Sequence, residues 1–182
     1  MSMRADEGGM TPGLWQRDFG AITKLVPILT TLLFAIVSML PFHIPGFGSI
    51  APSFALMAVF HWTIYRPDLL PLGAVFGVGV FLDLLNGTPY VGLSALIFLL
   101  ARTAVLNQRR LFFERPFLVL WLGFLALAAA CFLFEWAFVS VMQFTPLLPR
   151  LFIFQATITV ACFPIGSYFL ALAHRAVPTA GV

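Results

Sequence analysis

The sequence predicts an all-α, polytopic membrane protein with six transmembrane helices and both termini in the cytoplasm. Three observations predict it: composition, the length of the apolar runs and the sidedness of charge. Of 182 residues, 61% are hydrophobic and 9% charged, whereas a soluble domain carries about 25% charged residues and needs them to cover its surface. At about 20 apolar residues per crossing, six crossings use up the chain and leave no room for a separate soluble domain. With the N-terminus inside, Arg4, Arg17, Lys24, Arg66, Arg109, Arg110, Arg115 and Arg175 are cytoplasmic and Arg150 stands alone outside, with Arg102 within a helix. That asymmetry is the positive-inside pattern.

The elements follow in order. Residues 1–24 form a polar cytoplasmic leader with charges of both signs, among them Asp6, Glu7 and Asp18. The first apolar run, Leu25 to Leu40, is a retained helix rather than a signal peptide: the leader is longer than an ordinary n-region, and "PFHIPG" after the run offers no small-x-small cleavage site. In "PFHIPGFGS", Pro41, Pro45, Gly46 and Gly48 suit a turn and leave His43 in a loop. The second helix covers Ile50 to Ile64 and the third Leu69 to Leu85, separated by "YRPD". "NGTP" leads to the fourth, Tyr90 to Leu106, and "NQRRLFFER" to the fifth, Phe117 to Met142. "QFTPLLPR" precedes the sixth, Leu151 to Leu172, so the membrane domain is 25–173 and the cytoplasmic tail 174–182. Leu69 to Leu85 spans about 26 Å against a hydrocarbon core of about 30 Å, so a re-entrant pair is the alternative for helices two and three. Trp62, Tyr65, Trp121 and Tyr168 fall near cytoplasmic helix ends and Tyr90 near an outer one, as an interfacial belt requires.

Few residue types here carry chemistry. The net charge of +3 is spread over loops of one sidedness, which favours contact with anionic membrane lipid over a groove-binding patch and speaks against nucleic acid. Cys131 and Cys162 lie inside apolar runs, with no Cys/His cluster to hold a metal. "GLSA" around Ser94 is a faint serine-protease signal, but Ser94 falls near the outer end of its helix and His61 near the inner end of another, too far for proton transfer. Gly73 and Gly77 form a GxxxG and Ala126 and Ala130 a small-xxx-small pair, both spacings that suit close helix packing.

The acids leave two readings open. Asp83 lies a turn from the outer end of helix three and Glu135 about two turns from the outer end of helix five, where ionised groups are costly and need partners. One reading makes them a polar site or proton relay. The other has Asp83 accept hydrogen bonds from the backbone of its own "NGTP" turn, with Glu135 packed against Arg150 or protonated. The second is favoured, because a transport relay would show several ionisable groups at the midplane.

Taken whole, "APSFALMAVFHWTIYRPDLLPLGAVFGVGVFLDLLNGTPYVGLSAL", Ala51 to Leu96, resembles the signature region of the MreD family of bacterial rod-shape-determining proteins. There an aromatic-rich turn with Arg-Pro ends one helix, a small-residue helix ends in Gly-x-x-x-Asp-Leu-Leu-x-Gly, and a Pro-x-Gly-type turn starts the next. Those positions are Pro67, Gly79, Asp83, Gly87, Pro89 and Gly92; "GTPYVG" holds one residue more than the usual turn. The resemblance implies a non-enzymatic scaffold of the cell-wall elongation complex in the bacterial inner membrane, without a cofactor. It would bind MreC and, through it, the transpeptidase and glycosyltransferase that extend peptidoglycan under MreB. With Gly73, Gly77, Glu135 and Arg150, the six signature positions are the structural or partner-binding candidates. The six-helix layout is also similar to the substrate-binding subunits of vitamin importers, a reading that needs polar groups to converge in the outer half. Asp83, Asn86, Glu135, Gln143 and Arg150 are the ones available.

Overall fold

The computed structural model describes residues 13–39, 42–44, 48–112, 116–143 and 149–175. Expectations that rest on Arg4, Asp6, Glu7, Arg115 and the tail beyond Arg175 lie outside them. Six helices form where the apolar runs predict them: α1 (Gly13–Val37), α2 (Phe54–Tyr65), α3 (Leu72–Asn86), α4 (Leu93–Phe112), α5 (Phe117–Gln143) and α6 (Arg150–Arg175). Between α1 and α2 a short antiparallel hairpin, β1 (Phe42–Ile44) with β2 (Gly48–Ile50), pairs Phe42 with Ile50 and His43 with Ser49. The backbone at His43 is therefore strand, not the loop the proline and glycine content predicts. A bulky flank on either side of Pro45 and Gly46 is the pattern of a hairpin, and it was outweighed in the sequence by the breakers between.

Three helix boundaries also differ. α1 begins at Gly13, well inside the polar leader, and α6 continues to Arg175. α4 runs through "NQRR" to Phe112, with Arg109 and Arg110 in its last turn. Arginine is a good helix former and a cation suits the negative end of a helix, so these polar residues extend α4 instead of breaking it.

α2 is the centre of the bundle. Every residue from Ala55 to Ile64 is buried, so this helix has no polar face at all. Its 12 residues make a rod of about 18 Å, well short of the roughly 30 Å hydrocarbon core. A short buried helix has orphan amides and carbonyls at both ends that nothing in an apolar setting can solvate. Neighbouring helices supply the partners. At the start, Ser53 N donates to Thr159 Oγ1 at 3.1 Å and Ala55 N to Ser38 Oγ at 3.2 Å, while Gln155 Nε2 donates to Ala51 O at 3.1 Å. At the other end, Arg109 Nε donates to Ile64 O at 2.7 Å.

Aromatic packing fixes α2 against α5 and α6. Phe60 meets Phe124 at 5.3 Å and Phe163 at 5.8 Å between centroids, and Phe124 stacks on Phe163 at 4.3 Å. Trp62 is fully buried and gives its indole N–H to Thr30 Oγ1 at 3.0 Å, so it belongs to the core and not to an interfacial belt. An indole with a partner in reach can be buried whole. Tyr168 is largely exposed, as a belt residue would be. Pro164 inside α6 cannot donate to the carbonyl four residues back, and Trp121 Nε1 takes that carbonyl, Val160 O, at 3.1 Å.

By length and composition α5 and α6 can each cross a membrane; Leu25–Val37, α2 and α3 are shorter apolar helices. Leu133, Ile153, Ile165 and Phe169 stand more than half exposed, an apolar surface that lipid covers at no cost and water does not.

Candidate functional site

The signature segment folds as the α3–turn–α4 unit, and its chemistry starts from glycine. A Cβ on Gly79 would lie 2.6 Å from Ala95 N, inside the backbone of α4. Only a residue without a side chain lets the two helices cross here. Gly73 and Gly77 do not share this role. Both are exposed, and a Cβ on either would meet nothing within 4 Å. Gly79 is two residues beyond Gly77, about 200° round the helix, which turns the GxxxG face away from the crossing. Ala126 and Ala130 on α5 are exposed as well.

One turn beyond Gly79 on the same face lies Asp83, 1% exposed. Its Oδ2 accepts from Gly92 N at 2.7 Å and from Ser94 N at 3.1 Å; Ser94 N also approaches Oδ1 at 3.3 Å. These amides begin α4, so Asp83 performs from α3 the service a capping side chain usually gives its own helix. The positive end of the α4 dipole favours a carboxylate there. The expected partner was the "NGTP" turn. Instead the Asp83 carbonyl serves the turn, accepting from Thr88 N at 3.3 Å and Thr88 Oγ1 at 3.4 Å, while the carboxylate reaches past it. Two glycines make that reach possible: Gly87 ends α3 at φ 60° and Gly92 presents its N–H at φ 103°. Pro89 is exposed between them.

The turn at the opposite end of α3 is held from α4. Arg102 donates through Nε to Leu70 O and through Nη2 to Pro67 O, each at 3.3 Å, and Arg109 holds Ile64 O. Arg66 pairs with the exposed Asp68 at 3.6 Å. Sequence reasoning placed Pro67 in this turn but gave Arg102 and Arg109 no partners. The available signal was an arginine alone inside an apolar helix, which must find a partner or leave the hydrocarbon.

Glu135, on α5, is partly buried. It makes no ion pair with Arg150, which is exposed in the first turn of α6. An exposed guanidinium avoids the desolvation that pairing with Glu135 would cost. Near this end Tyr90 meets Phe138 edge-on at 6.1 Å. Ser94 is committed through its backbone to Asp83, whereas His61 lies among Tyr65 at 4.7 Å and His174 at 6.3 Å. Among the described residues no group of three or more His, Cys, Asp or Glu is placed to hold a metal.

Comparison with known proteins gives one match. The family model described as rod shape-determining protein MreD matches residues 20–173. No curated protein and no solved structure matches the chain.

Proposed function

We infer function from a plain premise: the chain belongs to the MreD family of rod shape-determining proteins, whose model covers residues 20–173. That is a family of membrane-associated structural proteins. The reading we propose is a multi-pass inner-membrane scaffold of the cell-wall elongation complex, six helices with both termini inside, which binds MreC and through it the peptidoglycan transpeptidase and glycosyltransferase.

The observation that carries this reading is the engagement of three interior charges, Asp83, Arg102 and Arg109. Asp83 is occupied by the amides of Gly92 and Ser94, and Arg102 and Arg109 by the carbonyls of Pro67, Leu70 and Ile64. Catalysis or ion transport needs charged groups free to meet a substrate; these stiffen the backbone of one α2–α3–α4 block. A rigid block with a large apolar exterior is suited to hold other membrane helices in register. The importer reading is weaker on the same ground, because its polar groups do not converge. Asn86, Gln143 and Arg150 are exposed, and a cavity of about 450 Å³ between α5 and α6 is lined by apolar residues such as Leu125, Phe132, Phe152 and Ile153.

Depletion in a rod-shaped host tests the proposal. Cells should round up and swell, with MreC or the elongation transpeptidase mislocalised, and mild-detergent purification should recover MreC with the chain. Rods of normal shape after depletion, or a bound vitamin and an ATPase in place of MreC, would overturn it.

A further inference from the structure

We propose that the cavity between α2, α5 and α6, at the arginine-rich end of the bundle, binds the phosphate headgroup of a membrane glycerophospholipid. It measures about 290 Å³, just under the range of about 300–1,000 Å³ typical of ligand pockets. His61, Tyr65 and Tyr168 line it together with Phe117, Leu120 and Pro164.

The polar lining holds an unmet demand. His61 is 6% exposed and its buried Nε2 has no hydrogen-bond partner; the buried Nδ1 of neighbouring His174 has none either. The two rings lie 6.3 Å apart, with the Tyr65 ring 4.7 Å from His61 and 5.7 Å from His174. Buried polar atoms are nearly always satisfied, so two orphans in one cluster beside a cavity point to a partner from outside the chain. An imidazole N–H and a phenol O–H both donate to a phosphate oxygen.

Charge decides the sign of that partner. Arg66 caps the end of α2 at this side of the bundle, and Arg175 follows His174 in the last turn of α6. The acid at this end, Asp68, is exposed and already paired with Arg66. Basic residues at the headgroup level beside a cavity between membrane helices favour anionic lipid heads. The apolar lining of Phe117, Leu120 and Pro164 selects a lipid over a free anion, since inorganic phosphate has no hydrocarbon to lay against it. This site is independent of the scaffold reading and requires only that the bundle sits in a bilayer.

Native mass spectrometry of the full chain, released from vesicles of phosphatidylglycerol and phosphatidylethanolamine, counts the lipid retained. The wild-type chain should keep one phospholipid. His61→Phe and His174→Phe, which preserve ring volume and remove the nitrogens, should each lower retention about tenfold. Tyr168→Ala alters an exposed side chain, leaves folding intact and should lower it about threefold. Leu84→Ala, exposed on α3, should change nothing. Diacylglycerol should not be retained, and excess inorganic phosphate at matched ionic strength should not displace the lipid. Wild-type retention in folded His61→Phe and Tyr168→Ala would overturn the site. Equal retention of diacylglycerol would remove the phosphate from the proposal, and displacement by inorganic phosphate would make the site one for a free anion.

Discussion

The turns at the two ends of α3 are held by opposite charges. At one end Arg102 and Arg109 donate to carbonyls of Pro67, Leu70 and Ile64; at the other Asp83 accepts from amides of Gly92 and Ser94. The sign follows from which helix end is exposed. The end of α2 presents carbonyls and a partial negative charge, and the start of α4 presents amides and a partial positive charge. The two solutions also differ in redundancy. Two long arginines share three carbonyls, whereas one short carboxylate carries the start of α4, so the Asp83 turn should fail more completely when one residue changes.

Gly79→Leu should have the largest effect, because the side chain would enter the Ala95 backbone on which the whole Asp83 geometry depends. Loss of folded protein from the membrane, read by fluorescence-detected size exclusion, is the expected result, and a normal monodisperse peak would break the crossing argument. Asp83→Leu should follow, leaving two partly buried amides unsatisfied at about 1 kcal/mol each. Asp83→Asn keeps an acceptor oxygen and should retain much of the folded yield and of the rod shape. Equal loss of function in both, with normal protein levels, would make the charge itself functional. Arg102→Met should cost less than Asp83→Leu in a thermal-shift assay, about 1–2 kcal/mol, since Arg109 still holds the end of α2. A larger loss than Asp83→Leu would reverse the ranking of the two turns. The smallest effects belong to Gly73→Leu and Ser94→Ala. Gly73 has open space around it and Ser94 offers α4 its backbone, so both should melt like the wild type. If Gly73→Leu melts normally yet impairs MreC recovery, the GxxxG face is a partner surface and not an internal contact.

The six helices were legible because each apolar run is bounded by proline, glycine or charge, and that pattern depends only on neighbours in sequence. The signature positions were legible for the same reason, as spacing within one segment. What could not be read is what crosses between segments. GxxxG spacing marks a small-residue face, but not whether that face points at another helix; Gly79, outside the pair, does. Arg109 in a basic cluster reads as cytoplasmic charge, yet its side chain holds Ile64 O across 45 positions of sequence. Trp62 at a helix end reads as interfacial until Thr30, on another helix, takes its indole. Glu135 and Arg150 look complementary as isolated letters, and the structure leaves Arg150 outside.

The capping of α2 by its neighbours sets an order of events during synthesis. α2 emerges before α4 and α6, but its amides and carbonyls are satisfied by Ser38 from just beyond α1, Arg109 from α4, and Thr159 and Gln155 from α6. Until α6 arrives, the start of this short helix has orphan groups that hydrocarbon cannot solvate. A nascent chain is therefore held in an unfinished state until α6 is in place. Every truncation that removes α6 should be cleared by membrane quality control, however well the preceding helices are made.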